Sequence, residues 1–114
     1  VRALKWTNGV VEQVNDQEIM DAKALIDRQG IGCEPASACS VAGLRKLVSK
    51  GVIRSDETVV GILTGHLLKD PDATINYHSN QLEHIKATYP NKLYRAEASV
   101  AELTHILEDA RAAT

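Results

Sequence analysis

Positive charge is in short supply in this chain. Thirteen lysines and arginines stand against 15 aspartates and glutamates, a formal net charge of -2. No basic excess and no polybasic run is present to neutralise phosphates, which argues against an electrostatic role on nucleic acid or on a membrane surface. Long apolar runs are missing too. Nothing approaches the length that a membrane span needs, and the opening VRALKW lacks the charged, then apolar, then small order of a signal peptide; a soluble intracellular protein is expected. Cysteine is scarce, with Cys33 and Cys39 the only two. Their spacing is wrong for a zinc knuckle and His66, His78, His84 and His105 show no ligand spacing beside them, so no metal site is expected and the thiols are expected unpaired.

Several motifs of nucleotide and hydrolase chemistry are absent as well. There is no GxxxxGK[ST] phosphate loop and no GxSxG nucleophile elbow. Gly30-Ile-Gly-Cys-Glu-Pro35 opens like the dinucleotide fingerprint GxGxxG, but Pro35 stands where the last glycine is required, and the glycines precede a strand end instead of following it. A hydrolase triad would have to combine Ser37 or Ser40 with a distant histidine, and nothing supports one. No repeat, low-complexity tract or linker divides the chain, so residues 1–114 read as a single unit.

What is present is an ordinary globular composition, 44% hydrophobic and 25% charged over 114 residues, enough to bury a core without metals or disulfides. Asn8-Gly9 is a turn pair and residues 10–14 a short β-prone run. Asn15 followed by Glu18 resembles a capping box, and Ile19, Ala22, Leu25 and Ile26 recur at helical spacing until Gly30. Residues 30–33 read as extended. Pro35 suits the first position of a second helix with Ala38, Val41, Leu44, Leu47 and Val48 on one face, closed by Gly51. Residues 58–63 form a third, β-branched strand, and residues 69–78 a polar loop broken by Pro71. Residues 81–89 read as a helix ended by Pro90, residues 93–97 as a short strand. Ser99 and Glu102 form a capping box for a last helix carrying Val100, Leu103, Ile106, Leu107 and Ala110. This alternation predicts an α/β fold, a parallel sheet with flanking helices.

Ligands of such sheets gather at the carboxyl ends of strands. Two turns qualify. In the first, Glu34 sits where a strand meets a helix, with small residues behind it that let another group approach; equally, it could serve only the helix dipole. In the second, Thr64 ends a buried strand and would hold a hydroxyl on a stiff side chain at the mouth of the sheet. Gly65 then lets backbone pass close to a flat ligand or take a positive φ. Such a hydroxyl can meet an unprotonated ring nitrogen without forcing a charge on it, or it could simply satisfy its own turn. His66 is an acid or base by type, though such residues more often pack or hydrogen-bond in loops. Lys69, Asp70 and Asp72 read as a solvated turn.

Taken together, CEPASACSVAGL and, about twenty residues on, VVGILTGHLLKDPD resemble the C-terminal part of the threonine synthases, pyridoxal-phosphate (PLP) enzymes of the tryptophan-synthase β-like fold, fold type II. The likeness covers nearly the whole chain, and the continuation LKDPD points to these rather than to a dehydratase. It implies conversion of O-phospho-L-homoserine and water into L-threonine and phosphate. It further implies that Thr64 bonds the pyridine nitrogen of PLP, that Gly65 gives the cofactor room and that Glu34 lies near the cleft behind it. None of the lysines sits in the family's Schiff-base motif, so no catalytic residue is assigned to this chain. With Val1 in place of Met and a first stretch reading as the end of a helix, the chain is expected to be a C-terminal piece of the large domain. Such a piece would form one wall of the cofactor site and be inactive without the N-terminal part, and the resemblance implies a cytoplasmic homodimer when complete. The alternatives are another fold-type II lyase, acting on threonine or diaminopropionate, and a noncatalytic α/β binding module.

Overall fold

The computed structural model describes residues 2–112; Val1, the first residue of the expected helix end, lies outside them. Its elements are α1 (Arg2–Thr7), α2 (Asp16–Arg28), α3 (Pro35–Ser49), a 3-10 turn (Leu67–Lys69), α4 (Pro71–His78) and α5 (Val100–Ala112). No helix among the described residues is long and apolar enough to cross a membrane.

α2 is the axis of the fold. It starts on the expected capping box: the Glu18 N–H donates to Asn15 Oδ1 at 2.9 Å and the Asn15 N–H to Glu18 Oε2 at 2.8 Å, so two donors of the first turn are satisfied reciprocally. One face of α2 puts Ala22 and Ile26 against Cys33, Ala38 and Ala42, with Val14, Ile19, Val41 and Leu63 around them. Alanines on both sides let α2 and α3 approach closely. The other face puts Met20 and Ala24 against Tyr77, with Ala73, Leu82, Ile85, Ala87 and Tyr89 packed on it. α3 begins with Pro35 at its first position and ends at Gly51, whose φ of 70° is the left-handed stop that frees the chain to turn.

The parallel sheet expected from the sequence is not formed: no strand exists among the described residues. Residues 10–14, 30–33, 58–63 and 93–97 run without a ladder. A strand is defined by a neighbour about 4.8 Å away that takes its backbone groups. The bond here that links the second and third runs is a single one at their ends, from the Glu34 N–H to the Gly65 carbonyl at 3.1 Å. The third run instead lies along α3. A Cβ at Gly61 would rest 3.4 Å from Leu44 and 3.5 Å from Val41, and the Ile62 carbonyl accepts from Ser40 Oγ at 3.3 Å.

Three further expectations change. Residues 71–78 are helical rather than a broken loop, because Asp70 caps them through the Ala73 N–H at 3.2 Å and Pro71 then occupies the first turn, where its missing N–H costs nothing. Residues 81–89 are not a helix. Asn80 and His84 have φ of 54° and 61°, and the loop's backbone is satisfied from outside: Gln17 takes the Lys86 N–H at 2.9 Å and donates to its carbonyl at 2.8 Å, while Asn80 Oδ1 takes the Ala87 N–H at 3.1 Å. At α5 only half of the box forms. Ser99 Oγ accepts the Glu102 N–H at 3.2 Å, but the Ser99 N–H goes to the Glu97 carbonyl at 2.7 Å.

Candidate functional site

The fold brings the two predicted turns together. α3 starts at the end of one extended run, and the first turn of that helix faces the end of the other. Gly65 is held on both sides of its peptide: its carbonyl receives the Glu34 N–H at 3.1 Å, and its own N–H donates to Ser37 Oγ at 2.8 Å. Ser37 is 3% exposed, and its hydroxyl also lies 3.2 Å from Thr64 Oγ1. Thr64 itself is exposed. A buried hydroxyl therefore backs an accessible one.

Glu34 occupies the N-cap of α3 yet makes no capping hydrogen bond. Its side chain folds beneath Gly65 and pairs with Lys69 Nζ at 2.8 Å. A Cβ built on Gly65 would fall 2.1 Å from Glu34 Oε1 and 2.3 Å from its Cδ, so the glycine is required by the carboxylate that fills the space. Gly65 is not among the glycines with positive φ. Of the two reasons the sequence offered for a glycine here, positive φ does not apply, and the group that lies close to Gly65 in this structure is the Glu34 side chain rather than a ligand.

His66 turns away from this cluster. Its Nδ1 accepts the Leu68 N–H at 3.1 Å and so caps the 3-10 turn. Lys69, read from sequence as part of a solvated turn, is exposed there and also pairs with Glu34. Ser37 and Ser40 were not singled out as site residues. Their spacing of three, on the first turns of a helix that follows a strand-end Glu-Pro, was the available signal: it places two hydroxyls on one helix face, opposite the run that ends in Thr64.

A cleft of about 580 Å³ lies elsewhere, lined by Asp27, Arg28, Thr74, His78, Asn91 and Lys92 among others. It shares no residue with the Glu34, Ser37, Thr64 and Gly65 cluster. On its wall, His78 Nδ1 accepts the Asn91 N–H at 3.1 Å, and burial holds the imidazole below its usual value of 6.5 despite the opposing pull of Asp27. At the core of the molecule, burial with help from Asp21 raises the Tyr77 phenol, and burial raises the Cys33 thiol.

The family model described as pyridoxal-phosphate dependent enzyme matches residues 1–65, a span that ends on Thr64 and Gly65. The chain belongs to the pyridoxal-phosphate dependent enzyme family. Its curated relatives include the threonine synthase of Methanosarcina acetivorans, 60% identical over 75 residues that cover 65% of this chain and 18% of that protein. The threonine synthase of Methanocaldococcus jannaschii is 53% identical over 74 residues, 64% of this chain and 18% of that protein. Threonine synthase 2, chloroplastic, of Arabidopsis thaliana is 32% identical over 109 residues, 96% of this chain and 21% of that protein. This family member thus spans about a fifth of the length of these relatives.

Proposed function

We propose that this chain is a segment of a threonine synthase, and that it supplies one wall of the PLP site of an enzyme converting O-phospho-L-homoserine and water into L-threonine and phosphate. The observation that carries the reading is the clasp around Thr64 and Gly65, in which a buried serine and an N-terminal helix turn hold an exposed hydroxyl at the end of an extended run. It sits in a chain 60% identical over 75 residues to a protein named threonine synthase.

The residues present fit one edge of the cofactor. PLP, when bound, supplies the electron sink for bond breaking beside the amino-acid nitrogen. Thr64 is the group of this chain that would meet the ring nitrogen, and as a neutral hydroxyl it would do so without fixing a charge there. Glu34 and Lys69 pair beneath it, and the Glu34 side chain fills the space under Gly65. The group that anchors the cofactor as a Schiff base would come from other sequence, and so would the strands completing a parallel sheet with the runs at 10–14, 30–33 and 58–63. In that reading the segment is the C-terminal part of the large domain of a cytoplasmic homodimer, inactive by itself.

The test is phosphate release from O-phospho-L-homoserine by the protein of the complete reading frame with PLP, run beside the 114-residue chain. Release by the long form and none by this chain is the expected result. Production of pyruvate, 2-oxobutyrate or ammonia without phosphate would assign a different lyase, and no product from either would leave a noncatalytic module.

A further inference from the structure

We propose that the cleft lined by the C-terminal ends of α2 and α4 and by the loop at residues 88–93 is a binding site for an organic phosphate monoester. Its volume of about 580 Å³ lies within the range of small-molecule sites. Its charge runs against that of the molecule. The chain carries a net charge of -2, yet Arg28 and Lys92, from different elements, both line this cleft. Neither side chain has an acidic partner among the described residues; the Lys92 ammonium instead lies 4.6 Å from the centre of the Tyr94 ring.

The groups that would repel an anion are already occupied. Asp27 is the only acid among the described residues that line the cleft. Its Oδ2 pairs with Nζ of the buried Lys23 at 2.5 Å, and its Oδ1 takes the Cys33 N–H at 3.2 Å. The helix ends, which carry partial negative charge, are occupied in the same way. The Ile26 and Asp27 carbonyls accept the Gln29 and Gly30 N–H groups, and those of Ile75, Asn76 and Tyr77 accept from Ser79, Gln81 and Asn80. His78 adds a neutral donor. Because its Nδ1 accepts the Asn91 N–H at 3.1 Å, the proton of the neutral ring sits on Nε2, which has no partner among the described residues. Two cations and one N–H complement the three terminal oxygens and double charge of a phosphate monoester; a carboxylate offers two oxygens and a single charge. Tyr89, Pro90 and Leu93 supply apolar surface for the organic group.

The experiment uses the complete protein with PLP bound and its histidines labelled with nitrogen-15, and titrates it with phenyl phosphate and, in parallel, with benzoate. Binding is followed by calorimetry and by the His78 Nε2 resonance, assigned through its loss in His78→Asn. Phenyl phosphate is expected to bind and to shift that resonance. Benzoate should bind about tenfold more weakly, the worth of one charge-assisted hydrogen bond. Arg28→Gln and Lys92→Gln should each weaken phenyl phosphate by a similar factor, with parental circular dichroism because both side chains are exposed. Arg28→Lys keeps the charge without the planar fork, and its affinity should fall between those of the parent and Arg28→Gln.

A His78 resonance that stays put under excess phenyl phosphate overturns the proposal: the ligand then binds elsewhere, the site for a phosphate-bearing substrate included, or not at all. Parental affinity in the double variant Arg28→Gln, Lys92→Gln overturns it as well. Benzoate binding as tightly as phenyl phosphate would show that the second charge is not recognised, and the phosphate class would fall. None of these readouts requires phosphate release from O-phospho-L-homoserine, so the cleft is tested separately from the role of Thr64.

Discussion

At the scale of single residues, the places of Glu34, Thr64 and Gly65 were legible because type and position agree: a carboxylate and a hydroxyl at the ends of extended runs, one followed by a residue without a side chain. What joins them was not. Lys69 is 35 positions from Glu34, and no local rule couples a loop lysine to a helix N-cap. Gly65→Ala follows from the geometry. The new methyl would collide with three side-chain atoms of Glu34, all within 2.7 Å, and that side chain is held by Lys69. Overpacking of this kind costs about 1–3 kcal/mol, so a lowered urea midpoint and loss of the Lys69 pairing are expected. A midpoint equal to the parent's would show that Glu34 swings aside freely. His78 gives a pH dependence with a definite sign. Its value in the folded chain lies below the unfolded 6.5 because of burial. Between the two values the unfolded chain binds more protons, so stability is full above about 6.5 and declines as pH falls through the folded value. His78→Asn keeps an acceptor for the Asn91 N–H and removes the titration. The difference in stability between the two proteins should shrink or reverse on acidification; a constant difference from pH 8 to 5 would remove His78 from the account.

At the scale of elements, α2, α3 and α5 were legible while α4 was read as a loop, and no expected strand formed; one physical reason covers most of this. A helix closes its hydrogen bonds within itself, so a cap, a period and a stop can be read locally, as in α2 and α3. A strand borrows its partners from elsewhere, and alternation alone cannot say whether they are at hand. The same logic explains residues 81–89, whose helical spacing was real while its backbone was claimed by other side chains. Tyr77 is the chief of these. At 2% exposure, its hydroxyl donates to Asp21 Oδ1 at 2.6 Å and accepts the Thr88 and Tyr89 N–H groups at 3.1 and 3.2 Å, tying the loop to α2 and α4. Tyr77→Phe leaves the ring in place and strips all three. The expected cost is about 1–3 kcal/mol, with amide exchange at Thr88 and Tyr89 accelerating more than exchange within α3. Uniform acceleration across the chain would mean that the tyrosine supports the whole fold rather than this loop.

At the scale of the whole molecule, the chain is more open than its length requires. A self-contained domain of this size has a radius of gyration of about 13 Å and an accessible surface of about 6,100 Å²; here the values are 17.2 Å and 8728 Å². The excess is apolar in places that matter. Val60 and Ile62 are 84% and 71% exposed on a run whose β-branched side chains suit a sheet, and Val10 and Val11 are exposed on another. Unladdered, apolar, extended backbone is a template for pairing with other chains. The 114-residue chain is therefore expected to associate as its concentration rises and to bind a hydrophobic dye. Because Val60 and Ile62 belong to neither core cluster, replacing both with lysine should suppress association and dye binding while leaving the helical circular dichroism unchanged. Sedimentation at several concentrations distinguishes the cases: a parent chain that stays monomeric and dye-free would mean that these runs find partners within the chain itself. Association that persists in the double-lysine variant would place the sticky surface on α1 or α5 instead, where Trp6, Val100 and Leu107 are also exposed.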